Sequence, residues 1–150
     1  MNQATANEYE IRNDGMDITV IHHYLSTESY WAQNIPLEVV ERSIRNSLCF
    51  GVFKGKEQVG FARLVTDKAT FAYLADVFVL AEHRGKGLSK RLMEAIHAHP
   101  EVQGLRRWML GTRDAHGLYA GFGWTPVPEE LVHRFMQRVA GSQQPAAGSQ

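Results

Sequence analysis

In the run Phe78-Val79-Leu80-Ala81-Glu82-His83-Arg84-Gly85-Lys86-Gly87-Leu88-Ser89-Lys90-Arg91-Leu92 an apolar strand ends, a basic glycine turn follows and an amphipathic helix begins. No other stretch restricts the fold as much. A helix leaves its first N–H groups without intrahelical partners, and its dipole concentrates partial positive charge at that end. Gly85 and Gly87 carry no Cβ, so the backbone can turn sharply and approach a ligand closely. Arg84, Lys86, Lys90 and Arg91 add positive charge around the same turn, and the combination describes an anion site, with phosphate the natural occupant. An ordinary strand-to-helix loop with solvated basic residues is the alternative. The spacing is neither that of a Walker A loop nor that of a dinucleotide fingerprint, since Lys90 stands where the latter needs its third glycine.

The rest of the composition narrows what such a site can serve. A chain of 150 residues suits a single domain over residues 1–140, with residues 141–150 as a flexible tail that has almost nothing to bury. Sixteen basic and sixteen acidic residues cancel, so the electrostatic footprint of a nucleic-acid-binding module is missing. The single Cys49 leaves no internal disulfide and no multi-cysteine zinc site, and the histidines fall into no shared ligand spacing, so no metal is expected. Cys49 itself reads as a strand core residue rather than an acyl nucleophile. The polar N-terminus lacks the blocks of a secretory signal, and no apolar run is long enough to span a bilayer; a cytoplasmic protein without a membrane partner is the expectation.

Along the chain, Tyr9-Glu10-Ile11-Arg12 reads as a first strand, closed by the turn Asn13-Asp14-Gly15. Ile18, Ile21 and Leu25 recur at helical spacing from the cap Asp17, predicting a helix over 17–25. After an aromatic-bearing connection, Pro36 suits the first position of a second helix with Leu37, Val40, Ile44 and Leu48 on one face. Strands at 48–53 and 59–66 form a hairpin around Lys54-Gly55-Lys56-Glu57-Gln58. Residues 70–80 read as a central strand apolar on both faces. Leu88, Leu92 and Ile96 give the next helix a buried stripe, a strand is predicted at 105–110, a short helix at about 113–122, and a last strand or helix at Val132–Val139. That order makes an α+β fold with a mixed sheet.

Arg84-Gly85-Lys86-Gly87-Leu88-Ser89 resembles the Arg/Gln-x-x-Gly-x-Gly/Ala signature of the GNAT superfamily of acyl-CoA-dependent N-acetyltransferases, with Ser89 where that family has Gly or Ala. Ala115-His116-Gly117-Leu118-Tyr119-Ala120-Gly121-Phe122-Gly123-Trp124 resembles the family's Leu-Tyr-x-x-x-Gly-Phe segment, one residue shorter between the tyrosine and Gly121-Phe122. The element order is similar over residues 8 to 139. The resemblance implies a GNAT fold: a mixed, mostly antiparallel central sheet flanked by helices on both faces.

It also implies a chemistry. Acetyl-CoA would be held by Arg84, Gly85, Lys86, Gly87, Leu88 and Ser89, with its pantetheine arm on the strand end and an amide near Phe78 or Val79 on the acetyl oxygen. Tyr119 takes the general-acid position; a packed helix tyrosine is its bland reading. Leu74-Ala75-Asp76-Val77-Phe78-Val79 resembles a stretch of polyamine acetyltransferases in which a glutamate occupies the place of Ala75. Asp76 is therefore either a base, an ammonium-binding group or a structural carboxylate paired with Arg63. Tyr24, Tyr30 and Trp31 either wall the acceptor pocket or pack the helix connection, and Arg113-Asp114 either contacts the cofactor or caps the following helix. The expected activity is transfer of an acetyl group to a primary amine of a small molecule by direct attack in a ternary complex. The rivals are an acyl-CoA sensor without activity and an acetyltransferase of proteins or aminoacyl-tRNA. Family members are often homodimers.

Overall fold

In the computed structural model, residues 8–141 are described. The chain divides into two compact units, Met1–Asp114 and Ala115–Gln150. The expected tail therefore lies, apart from Gly141, outside the described residues.

The first unit opens with β1 (Tyr9–Arg12) and a turn in which Gly15 takes φ +73°. Asp17 caps α1 (Ile18–His23), its Oδ1 accepting from the Val20 amide at 3.2 Å. The helical path does not stop at Leu25 but widens into a π turn over Tyr24–Glu28. Ser26 and Thr27 explain the extension: their hydroxyls donate to the carbonyls of His22 and His23 at 2.7 and 2.6 Å and so satisfy groups that the widened ladder leaves over. In α2 (Leu37–Arg45), Pro36 sits one place before the first helical residue. Its apolar face is narrower than the spacing predicts, because Val40 is fully buried and Ile44 partly so, whereas Leu37 is exposed and Leu48 already belongs to the next strand.

The hairpin is β2 (Leu48–Lys54) and β3 (Glu57–Thr66), and its connection shrinks from five residues to Gly55-Lys56, with Gly55 at φ +63°. Gln58 is thereby a strand residue, not a loop residue. It is 1% exposed, accepts from the Asp17 amide at 2.6 Å and donates to the Gly60 carbonyl at 3.0 Å. A buried amide with both ends engaged ties the start of α1 to the sheet.

β4 (Phe71–Val79), α3 (Leu88–Ala98) and β5 (Arg107–Leu110) complete the unit. The sheet order is β1-β2-β3-β4-β5, antiparallel throughout except for the parallel pair β4–β5. Ile21, Tyr24, Leu25 and Val40 from the α1 and α2 region pack with Cys49, Phe61 and Phe78 on one face. Phe50, on the other face, meets the His99 ring just beyond α3 at 5.6 Å, and α3 buries Leu88, Leu92, Met93 and Ile96. The expected α+β GNAT-type architecture, a mostly antiparallel sheet with helices on both faces, is what the chain adopts. β4 differs from its expectation in one respect: Phe71 and Tyr73 are exposed, so only its second half is covered on both sides, where α1 and α2 reach.

The second unit contains α4 (His116–Ala120) and α5 (Glu129–Val132). Of the two readings for Val132–Val139 neither holds across the stretch: helix ends at Val132, and no strand forms among the described residues. The helical start has a local cause. Pro128 has a preset φ of −57°, and Glu129 and Glu130 place negative charge in the first turn. Among the described residues no helix is long and apolar enough to cross a membrane.

Candidate active site

Two irregularities in β4 build the site. Between the pairs Phe61–Phe78 and Arg63–Ala75, β3 supplies one residue, Ala62, while β4 supplies two, Asp76 and Val77. This is a bulge, and Asp76 takes φ +54°, a left-handed conformation uncommon outside glycine. On its other edge β4 pairs with β5 only from Phe71 to Leu74. From Ala75 to Val79 the strand has no β5 ladder partner among the described residues, so that edge, apart from the Val79 carbonyl that Arg84 holds, can offer backbone groups to a ligand.

The bulge aims Asp76 at two partners. Its Oδ2 accepts from Arg63 Nε at 2.8 Å and its Oδ1 from Trp31 Nε1 at 2.8 Å. Arg63 also donates to Ser47 Oγ at 3.2 Å, and the ion pair is mostly buried, with side-chain exposures of 19% for Arg63 and 11% for Asp76. Trp31 is half exposed and meets Tyr30 edge to face at 5.1 Å. Tyr30 in turn accepts from the Arg113 amide at 3.1 Å, with the Arg113 guanidinium 3.8 Å above its ring. The Tyr30-Trp31 pair thus bridges the gap where β4 and β5 part, fastened to β4 through Asp76 and to the β5 exit through Arg113. Cys49 lies buried close by, and burial pushes its thiol up to about 11; Arg63 opposes that shift and Asp76 adds to it. Such a thiol is a poor nucleophile at neutral pH, in keeping with its reading as a core residue.

Past β4, a 3₁₀ turn over Ala81–His83 leads into the glycine loop. Gly85 and Gly87 take φ +79° and +76°, and a Cβ on either would meet nothing within 4 Å, so the loop backbone faces open space. Gly87 is the N-cap of α3, and no side chain caps that end. The first α3 amides therefore point outward in the way an anion needs. The cations do not all follow. Arg84, although exposed, donates to the Val79 carbonyl at 2.8 Å and to the Tyr24 hydroxyl at 3.2 Å, and Arg91 donates to the Tyr9 carbonyl at 2.9 Å; Lys86 on the loop and Lys90 in the first turn of α3 are also exposed.

In the second unit, Tyr119 is buried in α4 with its ring 6.1 Å from that of Trp124. The amides of Phe122 and Trp124 fold back onto the Tyr119 carbonyl at 2.9 and 3.3 Å. Gly123, at φ +91°, makes that reversal possible.

A sequence model of the acetyltransferase (GNAT) domain matches residues 45–126, more than half of the chain. This chain belongs to the GNAT acetyltransferase family. A candidate acetyltransferase of Gibberella zeae is 31% identical over 140 aligned residues, covering 77% of each chain. A crystal structure of a candidate GNAT-family acetyltransferase from Xanthomonas campestris pv. campestris superposes with a TM-score of 0.84 at 53% identity, covering 87% of this chain and 92% of that one. The GNAT-family acetyltransferase of Streptococcus pneumoniae shares the fold at a TM-score of 0.63 and 20% identity, covering 87% and 93%.

Within this GNAT domain, the residues singled out from the sequence separate into groups. Phe78 and Val79 end β4, and the loop from Arg84 to Ser89 follows after the 3₁₀ turn, tied back by the Arg84–Val79 hydrogen bond. Asp76, Tyr30 and Trp31 are brought together by the bulge. Tyr24 is not with them: it is 8% exposed, stacked on Phe78 at 4.0 Å and 9°, with its hydroxyl on Arg84. Asp114 does not cap α4, whose N-cap is Ala115 without a side-chain bond; it pairs loosely with Arg113 at 3.7 Å. Two residues of the network went unnoticed in the sequence, Ser47 and the Tyr30-stacking role of Arg113. Neither has a local signal, because each acts on a residue distant in the chain.

Proposed function

We propose that this GNAT domain transfers an acetyl group from acetyl-CoA to a primary amine of a small acceptor by direct attack in a ternary complex. The observation that carries the reading is the β4 edge, without a β5 ladder partner from Ala75 to Val79 among the described residues, running into an uncapped helix start behind two left-handed glycines. Open space at both glycine Cβ positions fits the close approach of a pyrophosphate, and the strand edge fits the amide-bearing pantetheine arm. Bound there, acetyl-CoA supplies the activated thioester. The amides of Leu88 and Ser89 and the ammonium groups of Lys86 and Lys90 hold its phosphates, and an amide near Phe78 or Val79 donates to the acetyl oxygen.

The acceptor must lose a proton first. An alkyl amine of pKa about 10.4 is neutral in only about one molecule in 2,500 at pH 7, equivalent to about 4.6 kcal/mol. Asp76 has both oxygens engaged, so its part is to set Trp31 at the mouth; water carries the proton away unless one of those bonds opens. Tyr119, by the family resemblance of its segment, returns a proton to the thiolate. One observation favours a second reading, acyl-CoA sensing without transfer: Ala75 stands where polyamine acetyltransferases carry glutamate, and the neighbouring carboxylate is already paired.

Release of free CoA from acetyl-CoA across a library of amines decides between them. Turnover with one amine class is the expected result. Tight acetyl-CoA binding with no turnover on any amine overturns the transferase reading in favour of the sensor.

A further inference from the structure

Of the four cations that make the glycine turn look like a phosphate site, Arg84 stands closest to the end of β4, and two of the five N–H donors of its exposed guanidinium are already bonded to the protein. Nε donates to the Val79 carbonyl at 2.8 Å and Nη2 to the Tyr24 hydroxyl at 3.2 Å. Tyr24 is stacked flat on Phe78 at 4.0 Å, and Phe78 pairs with Phe61 inside the sheet. One planar fork therefore joins three pieces: the last residue of β4, the π turn after α1 and the start of the glycine loop. The other side of the loop is held in a similar way, since His83 Nδ1 meets the Tyr9 hydroxyl at 2.8 Å and Arg91 holds the Tyr9 carbonyl at 2.9 Å.

We propose that Arg84 is a positioning residue and not a phosphate ligand: it fixes the end of β4 against α1 so that strand edge and loop present one continuous surface, while phosphate contact falls to the loop amides, Lys86 and Lys90. This rests on the acetyl-CoA reading above. The physical reason is geometric. A guanidinium can serve two acceptors at a fixed angle, and an ammonium on a flexible stem cannot reproduce that fork, although it serves a phosphate well as a point charge. The consequence is that Arg84 acts on the part of the ligand carrying no charge. Releasing the Val79 carbonyl disturbs the strand edge where the pantetheine arm lies, and the loop beside it.

The test compares two probes, acetyl-CoA and S-acetylpantetheine, which lacks every phosphate, by calorimetric titration of the full chain. Arg84→Met is expected to weaken both by the same factor, about fivefold, and Arg84→Lys to be no better than Arg84→Met. Lys86→Met is expected to weaken acetyl-CoA alone. Tyr24→Phe, which keeps the ring stacked and removes only the hydroxyl, is expected to weaken both probes in the same ratio as Arg84→Met, and it covers the case in which the arginine variants fail to fold. A loss confined to acetyl-CoA in Arg84→Met, restored by Arg84→Lys, overturns the proposal and returns Arg84 to the phosphate. Absence of acetyl-CoA binding by the unaltered protein overturns instead the reading on which it stands.

Discussion

Trp31 donates its indole N–H to Asp76 at 2.8 Å across 45 residues of sequence, and in doing so hangs an exposed aromatic pair on a buried ion pair. The carboxylate is held from behind by Arg63, itself steadied by Ser47. Asp76 can reach both partners because the β4 bulge puts it at φ +54°. The carboxylate thus ties the exposed Trp31 to the mostly buried Arg63.

That arrangement has a stability consequence. Asp76→Ala leaves the Arg63 guanidinium largely buried and unpaired, and should cost about 3 kcal/mol in urea unfolding. Replacing both members, Asp76→Ala with Arg63→Met, should recover most of the loss because no uncompensated charge remains. A double variant as unstable as the single one would show that the pair is not the source.

Gly87 is required for its backbone angle and not for space. Its φ is +76°, yet a Cβ there meets nothing within 4 Å. Gly87→Ala should lower stability by about 1 kcal/mol through left-handed strain alone, and acetyl-CoA affinity by about fivefold if the loop relaxes to a different angle. Gly87→Asn, which tolerates that angle better, should recover most of the stability. Equal unfolding midpoints for the alanine variant and the unaltered protein would remove the backbone argument.

Tyr119→Phe should slow acetyl transfer at least roughly tenfold, about 1.4 kcal/mol of barrier, with acetyl-CoA affinity nearly unchanged. The ring stays to fill its buried place in α4, so thermal stability should move little. Turnover equal to that of the unaltered protein, on the amine the library identifies, would take the proton-donor role from it.

Cys49 predicts an alkaline weakness. Its folded pKa, raised by burial to about 11, lies above the thiol value of about 8.5 in an unfolded chain. The native state thus holds its proton where the unfolded state gives it up. Its contribution is complete below about pH 8.5 and is lost as pH rises toward the folded value. Unfolding curves between pH 7.5 and 10.5 should fall more steeply for the unaltered protein than for Cys49→Ala. Parallel curves for the two would mean that the thiol does not titrate in this way.

Local chemistry made much of the fold legible. The strand at Tyr9–Arg12, the Asp17 cap, the Leu88–Leu92–Ile96 stripe and the glycine loop could all be read because each rests on neighbours within a turn or a pleat. The misreadings have a shared cause. Gln58 looked like a hairpin loop until its amide was seen to satisfy Asp17, which lies 41 residues away. For Tyr24 the sequence left a pocket wall and packing of the helix connection open, and stacking on Phe78 places it in the core. The end of the chain near Val132 has no ladder partner to make it a strand, and Pro128 with two glutamates started a helix instead.

The amino-acid sequence by itself determined that a strand must run into a glycine turn and a helix, because φ above zero and an uncapped helix start are properties of residues and their immediate neighbours. Only the tertiary structure decided which of the cations are bonded to the protein itself. A guanidinium takes whichever acceptors the fold places within about 3 Å, and for Arg84 those are the Val79 carbonyl and the Tyr24 hydroxyl. The same holds for Asp76: its charge was visible at once, but its partners come from β3 and from the turn after α1, and they set what that charge can do.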